Sequence, residues 1–279
     1  MGSLAAMSDA TRARLAQLVR HSDADLAEAA LLVAAEAAPG LPVDAMLLRI
    51  DALADTVRVE GFRASGDDAH DGPALAAAFA ARGFRGHEVD GRIPDDALLD
   101  RVLDRRVGLP ITLSILYVAL ARRLHVGAFP ITLPGHVVVG ISGDARTVVL
   151  DPFHGGIELD EAAVAARVET ATGGQLAFRR SMLRPATAAT VVRRLLNNLT
   201  RDYTLAKAHR DALWSVELKL VLPNRLPDDH RVRGRLLDQL GRFDEAAAAY
   251  EAYLDLVGGD GPDAAEVRHH AIRSRARLN

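Results

Sequence analysis

The chain has 279 residues, a formal net charge of −3 and no cysteine. This length allows one large domain or two modest ones. Mixed charge of low net value argues against a dedicated nucleic-acid or membrane-surface protein, and the lack of cysteine excludes disulfides, thiolate zinc sites and thiol catalysis. No apolar run reaches the roughly 18 residues of a membrane span, and no signal peptide is recognised. We therefore expect a cytoplasmic protein.

The first hundred residues carry apolar side chains at helical spacing. A polar, glycine-containing stretch from Asp67 to Gly72 predicts a break, and residues 84–87 read as a loop. Pro94, followed by two aspartates, has the composition of a helix N-terminus. The pattern predicts helices over 23–37, 43–59 and 73–82, and another that starts at Pro94.

A strongly apolar helix and a group of strands follow. The helix is predicted from Pro110 to Leu124, and we expect it to be buried because it is apolar on nearly all sides. From Ala128 onward β-branched residues become frequent, which is typical of strands. The predicted strands cover 129–133, 137–141 and 147–150, and a further extended piece at 176–178 is expected to add an edge strand.

The turn between the second and third strands allows a prediction of register. If Gly143 and Asp144 form a two-residue loop, His136 lies directly opposite Asp151 on the same face of the sheet. A longer turn would shift this pairing by a residue or two. The sequence therefore predicts an imidazole–carboxylate pair, in which the carboxylate orients the ring and fixes its tautomer.

Residues 185–279 return to helix and contain a repeat. Ala212 and Glu217 recur 34 residues later as Ala246 and Glu251. This is the period of tetratricopeptide repeats, in which a small residue such as alanine lets paired helices approach closely. The predicted domains are therefore a helical section plus core domain over 1–184 and a tetratricopeptide-like segment over 185–279.

Four sequence blocks carry a resemblance to a known family. They are Arg105–Ser114 with its Gly-Leu-Pro-Ile-Thr-Leu core, Leu133–His136 with Pro-Gly-His, Leu150–Phe153 with Asp-Pro-Phe, and Arg194–Leu199. Together they resemble the SirB-type proteins, bacterial proteins with a transglutaminase-like domain and a C-terminal tetratricopeptide segment. The resemblance implies an α+β fold with a papain-like core, in which the helix lies on an antiparallel sheet.

The resemblance also implies where a nucleophile would stand. Related transglutaminase-like proteins place a cysteine at the start of this helix, and that position falls at Pro110, which has no nucleophilic atom. The preferred interpretation is a non-catalytic or vestigial module that binds a protein or peptide. The alternative interpretation is a hydrolase or acyl-transferase that acts on amide bonds. With both interpretations standing, the sequence leaves open whether the chain is an enzyme.

In the enzyme alternative, His136 is the general base and Asp151 orients it. Thr112 or Ser114 then acts as nucleophile or positions a water, since both follow the helix start. The competing interpretation is that both hydroxyls bond a backbone carbonyl one helical turn back.

Two further groups have weaker signals. His154, three residues after Asp151, could join His136 and Asp151 in a divalent-metal site, but the loop spacing is not diagnostic, and we assign neither a metal nor another cofactor. Arg231, Arg233 and Arg235 are expected to be a solvated face, with a groove for an acidic peptide as the alternative. The expected partner is a protein or peptide, without nucleic acid or membrane.

Overall fold

The computed structural model describes residues 2–87, 93–143, 147–258 and 261–277, with side chains from residue 9 onward. The chain divides into two compact units, Met1–Leu195 and Leu196–Asn279. The sequence prediction places the boundary at residues 184 and 185 instead. Within the described residues, no helix combines the length and apolar character required to traverse a lipid bilayer.

The first unit begins with four helices. Asp25 caps the second of them by accepting hydrogen bonds from the backbone N–H groups of Ala27 and Glu28, so this helix starts three residues after the predicted position. The third helix has the predicted bounds. The helices are α1 (Gly2–Leu18), α2 (Leu26–Ala37), α3 (Val43–Val59) and α4 (Asp68–Ala81).

The start of α4 differs from the sequence prediction. Residues 68–72 belong to the helix, and Pro73 lies inside it, so the predicted break at 67–72 is wrong. Asp67 caps the helix through the N–H of Ala69, and the Asp71 carboxylate accepts from the backbone and hydroxyl of Ser65. These side-chain bonds stabilise a helix start whose glycine and proline are typical of a turn.

Gly72 lies in tight contact with the sheet, which makes its substitution a test of the fold. A Cβ at this position would come within 2.7 Å of Ile141 Cγ1, and Ile141 is fully buried. We expect Gly72→Ala to lower the free energy of unfolding by about 2 kcal/mol through overpacking, measured by urea titration. The double variant G72A/I141V should recover part of this loss, because the smaller valine leaves room for the new Cβ. If the loss in the double variant equals the sum of the losses in the two single variants, the contact between residues 72 and 141 is contradicted.

A two-stranded parallel pair precedes the buried helix. Strand β1 (Arg85–Gly86) pairs with β2 (Val107–Gly108), so part of the predicted loop at 84–87 is a strand. Two residues are too short for a periodic sequence signal. The chain between them forms a short 3-10 helix (Pro94–Ala97) and α5 (Leu99–Arg105), and the apolar helix α6 (Pro110–Arg123) follows.

The main sheet has four antiparallel strands in the order β3-β4-β5-β6. The fourth strand is formed by residues 157–159, so the edge strand predicted at 176–178 is wrong. Helix α6 packs on β3 and β4, and a separate apolar cluster joins the sheet to α7. The elements are β3 (Ala128–Leu133), β4 (His136–Ile141), β5 (Val148–Asp151), β6 (Ile157–Leu159) and α7 (Glu161–Thr172).

The second unit consists of helices. The starts of α9 and α11, His209 and Phe243, are 34 residues apart, and Ala212 and Ala246 are both fully buried. The predicted fold class, an α+β transglutaminase-like core with a helical N-terminal section and a helical tetratricopeptide-like tail, is confirmed. The helices are α8 (Ala188–Leu205), in which the unit boundary falls, α9 (His209–Val221), α10 (Pro227–Gln239), α11 (Phe243–Val257) and α12 (Ala264–Ala276).

Candidate functional site

The predicted imidazole–carboxylate pair is present. His136 starts β4 and Asp151 ends β5, and His136 Nε2 lies 3.0 Å from Asp151 Oδ2. Asp151 is fully buried, whereas 15% of the His136 side chain is exposed. Because Nε2 faces the carboxylate, it carries the proton of the neutral ring, and Nδ1 is left as the basic nitrogen.

The register that produces this contact is not the predicted one. Val139 pairs with Leu150, and Ile141 pairs with Val148. Direct opposition of His136 and Asp151 is therefore wrong by two residues, and the side chains meet diagonally. A two-residue shift leaves both on the same face because strand side chains alternate with a period of two. Asp144 of the predicted two-residue turn lies outside the described residues.

Asp151 accepts more than one hydrogen bond. His154 Nδ1 lies 2.7 Å from the same oxygen, and the other oxygen accepts from the backbone N–H of Phe153 at 3.2 Å. A guanidinium nitrogen of Arg167 is 3.5 Å away. Burial raises the pKa of Asp151, but the hydrogen bonds and charges of His136 and His154 outweigh it, and its pKa lies below the ordinary value.

Aromatic side chains hold the ring of His136 in place. Phe153 meets it edge to face with the ring centroids 5.8 Å apart, and the ring of His154 lies at 5.7 Å. The Phe153 ring in turn occupies the space beside Gly86 in β1, where a Cβ would lie 2.6 Å from three ring atoms. The absence of a side chain at Gly86 therefore lets Phe153 lie against β1.

The two candidate hydroxyls, both on α6, are fully buried. Thr112 Oγ1 donates to the backbone carbonyl of Asp96 at 3.0 Å, and Ser114 Oγ donates to that of Val137 at 3.3 Å. Their acceptors are carbonyls, as the competing interpretation expects, but these belong to other segments rather than to the preceding helical turn. Pro110 occupies the first turn of α6.

Asp96 was missed by the sequence reasoning, which treated it only as part of a helix start. Its buried carboxylate pairs with Arg105 at 2.9 Å and accepts from the N–H of Ile93 at 3.1 Å. Its carbonyl accepts from Thr112 and from the N–H of Leu109 at 2.9 Å. Asp96 thereby fixes the N-terminus of α6, and the only available sequence signal was an aspartate near a proline.

The cluster around Asp151 also has the donor types of a metal site. One donor atom each from His136, Asp151 and His154 lies within 4.8 Å of the others, and two imidazoles with a carboxylate can hold Zn²⁺ or Fe²⁺. However, the nearby guanidinium of Arg167 opposes a divalent cation. We therefore interpret the cluster as a hydrogen-bonded network.

The order of these elements defines a class of protein. A buried helix, a strand that begins with histidine and a strand that ends with aspartate form the core of papain-like and transglutaminase-like proteins, and here that core has no sulfur nucleophile. Residues 44–197 match the family model of the transglutaminase-like superfamily. The chain belongs to this superfamily.

The C-terminal part has its own match. Residues 202–271 match a tetratricopeptide repeat model. One solved structure, described as the crystal structure of menin revealing the binding site for mixed lineage leukemia protein, has a TM-score of 0.41 at 12% identity, covering 88% of this chain and 69% of that one.

Bacterial relatives share most of the chain. A UPF0162 protein of Xylella fastidiosa strain 9a5c is 32% identical over 182 residues, which is 64% of this chain and 64% of that protein. A UPF0162 protein of Pseudomonas aeruginosa is 28% identical over 218 residues, covering 77% of this chain and 78% of that protein. The match thus spans just under two thirds of the length of the Xylella relative.

Proposed function

We propose that this chain is a cytoplasmic, SirB-type protein whose transglutaminase-like domain is non-catalytic and whose role is to bind a protein or peptide. The observation that carries the proposal is the first turn of α6. Pro110 stands there, and the nearby hydroxyls of Thr112 and Ser114 are buried and donate to backbone carbonyls. A hydroxyl nucleophile needs a base within about 3 Å and an exposed oxygen, which this arrangement does not supply.

The helical tail supports the binding role. Tetratricopeptide repeats commonly mediate protein interactions, and stacked helical repeats present extended concave surfaces suited to a partner chain. This part of the proposal places the partner on residues 196–279.

Photocrosslinking can locate the partner, because any introduced cysteine is the sole thiol in a chain that has none. We would attach a thiol-reactive photocrosslinker at Gln239→Cys on the exposed end of α10 and, as the control, at Val59→Cys, which is 84% exposed in the first unit. We expect the same protein to crosslink repeatedly at position 239 and not at 59. Crosslinks at 59 alone would contradict the placement.

The enzyme alternative retains one supporting observation, the pair of His136 and Asp151 at 3.0 Å. In that case the basic Nδ1 of His136 would activate Thr112, Ser114 or a water molecule against an amide bond. Incubation of the full chain with peptide mixtures, followed by mass spectrometry, should show no hydrolysis or amine transfer. Turnover that His136→Ala abolishes without lowering the melting temperature would favour the enzyme.

A further inference from the structure

A groove on the second unit has an unusual charge. It has a volume of about 930 Å³ and is lined by residues of α8, α9 and α10 and of the α8–α9 connection. The described residues that line it include no aspartate or glutamate. Four of them are basic: Arg201, Lys207, Lys219 and Arg235. The whole chain has slightly more acidic than basic residues, so this concentration is local.

Two of these cations have no acidic partner among the described residues. Arg235 on α10 and Lys207 are both exposed and form no ion pair there. On the same helix, Arg231 pairs with Asp263 at 2.8 Å and Arg233 pairs with Glu217 at 3.5 Å. Of the three arginines singled out in the sequence, Arg235 is therefore the one available to a ligand.

A third cation is held in the groove by the protein itself. Lys219 on α9 is only 4% exposed, and its Nζ lies 3.2 Å from Asn197 Oδ1 and 3.7 Å from Asp229 Oδ1. Asp229 also accepts from the N–H of Leu226 at 2.9 Å. Asp229 balances the charge of this ammonium, so the uncompensated positive charge of the groove comes from Lys207 and Arg235.

The groove also offers apolar contact. Leu205 is 75% exposed at the end of α8, and Val232 and Leu236 line the same groove. The described lining residues include no phenylalanine, tyrosine or tryptophan, and their single imidazole belongs to half-buried His209. Proteins that bind single-stranded nucleic acid combine cations with aromatic stacking platforms, so cations beside aliphatic side chains fit a peptide better than a nucleic acid.

We propose that this groove binds an acidic peptide segment of the partner protein, with its carboxylates at Lys207 and Arg235 and an aliphatic side chain against Leu205. This inference rests on the proposed binding function and specifies the chemistry of the partner. Opposite charges across the interface speed association and set specificity, and their effect weakens as salt screens them.

The test uses the full chain and a fluorescein-labelled synthetic peptide of alternating glutamate and leucine, followed by fluorescence anisotropy. We expect saturable binding whose Kd rises with sodium chloride concentration. The peptide with glutamine in place of glutamate should bind much more weakly. Lys207→Glu combined with Arg235→Glu should raise Kd about tenfold or more.

Arg225→Glu is the matched control. Arg225 is exposed in the same unit, does not line the groove, and its reversal changes the charge by the same amount as either single groove reversal. We expect its Kd to stay near that of the unaltered chain, with melting temperatures unchanged in all variants. The single variant Arg235→Glu is compared directly with Arg225→Glu. An equal rise in Kd in both would show a general effect of charge and would overturn the proposed site.

Two other outcomes also count against the inference. Equal affinity for the glutamine peptide would remove the requirement for carboxylates, and tighter binding of a single-stranded oligonucleotide of the same charge would replace the peptide as ligand. If the acidic peptide fails while the partner still crosslinks at position 239, the inference fails and the proposed function stands. If both fail, the binding function fails with it.

Discussion

Replacement of Asp151 by asparagine is expected to lower the free energy of unfolding by about 2–3 kcal/mol at pH 7. Asp151 is fully buried and accepts from His136, His154 and the N–H of Phe153. Hydrogen bonds to a charged acceptor contribute about 1.5–3 kcal/mol, and an amide can accept only part of them. Chemical denaturation of the full chain at pH 7 measures the loss.

The cost of D151N should depend on acidity. Because the pKa of Asp151 is lowered in the folded state, its ionised form contributes stability above the unfolded pKa of about 3.9. That contribution disappears as the pH falls through the lower folded pKa. The difference between the unaltered chain and D151N should therefore shrink between pH 5 and pH 3.

The control is Asp55→Asn, which removes an exposed ion pair with Arg58. This variant should cost less than about 1 kcal/mol at pH 7, because surface pairs contribute little. A D151N cost that stays constant down to pH 3 would mean that the charge of Asp151 does not stabilise the fold.

The site pair was predictable because it depends on alternation rather than on exact register. His136 and Asp151 remain on one face whether the pairing is direct or shifted by two residues. The sequence could not fix the shift, since the length of the turn decides it and the Ser-Gly-Asp-Ala stretch allows several lengths. The face of the sheet is thus a more reliable prediction than the opposing residue.

Strand β1 and the role of Asp96 could not be predicted for the same reason: both depend on contacts between segments that are distant in the sequence. Strand β1 exists because its two residues pair with β2 some twenty positions later. Asp96 matters because its carbonyl accepts from Thr112, sixteen residues away, and its carboxylate pairs with Arg105. Short elements and side-chain networks of this kind leave no periodic signal in the sequence.

By contrast, elements with a strong local signal were predicted closely. Helix α3 has the bounds that its apolar spacing gives, and α6 begins at the proline that suits a first helical turn. The 34-residue repeat likewise predicted the spacing of α9 and α11. The start of α4 differs from the prediction because glycine and proline are typical of turns, whereas aspartate side chains stabilise the helix start here.

Pro110→Cys is expected to restore a reactive thiolate at the helix start. A side chain at this first-turn position lies at the positive end of the α6 dipole, beside backbone N–H groups that have no helical partner. Such surroundings lower a thiol pKa from about 8.5 toward 7 or below, and a pKa of 7 raises the thiolate fraction at pH 7 about fifteenfold. Replacing the proline should cost little stability. At the first helical position the backbone N–H has no partner within the helix, so the N–H that cysteine adds breaks no hydrogen bond.

The pH dependence of iodoacetamide alkylation, followed by mass spectrometry, gives the pKa of this single thiol without background from other cysteines. The same variant unfolded in urea is the control and should titrate near 8.5. Two groups could stabilise the thiolate, the N-terminus of α6 and the imidazole of His136. If the helix alone lowers the thiol pKa, the pKa stays low when His136→Ala is added; if the imidazole lowers it, the pKa rises. A folded-state pKa equal to that in urea would show that this helix start no longer stabilises an anion, and the chain would then have lost the electrostatic setting of a nucleophile as well as its sulfur.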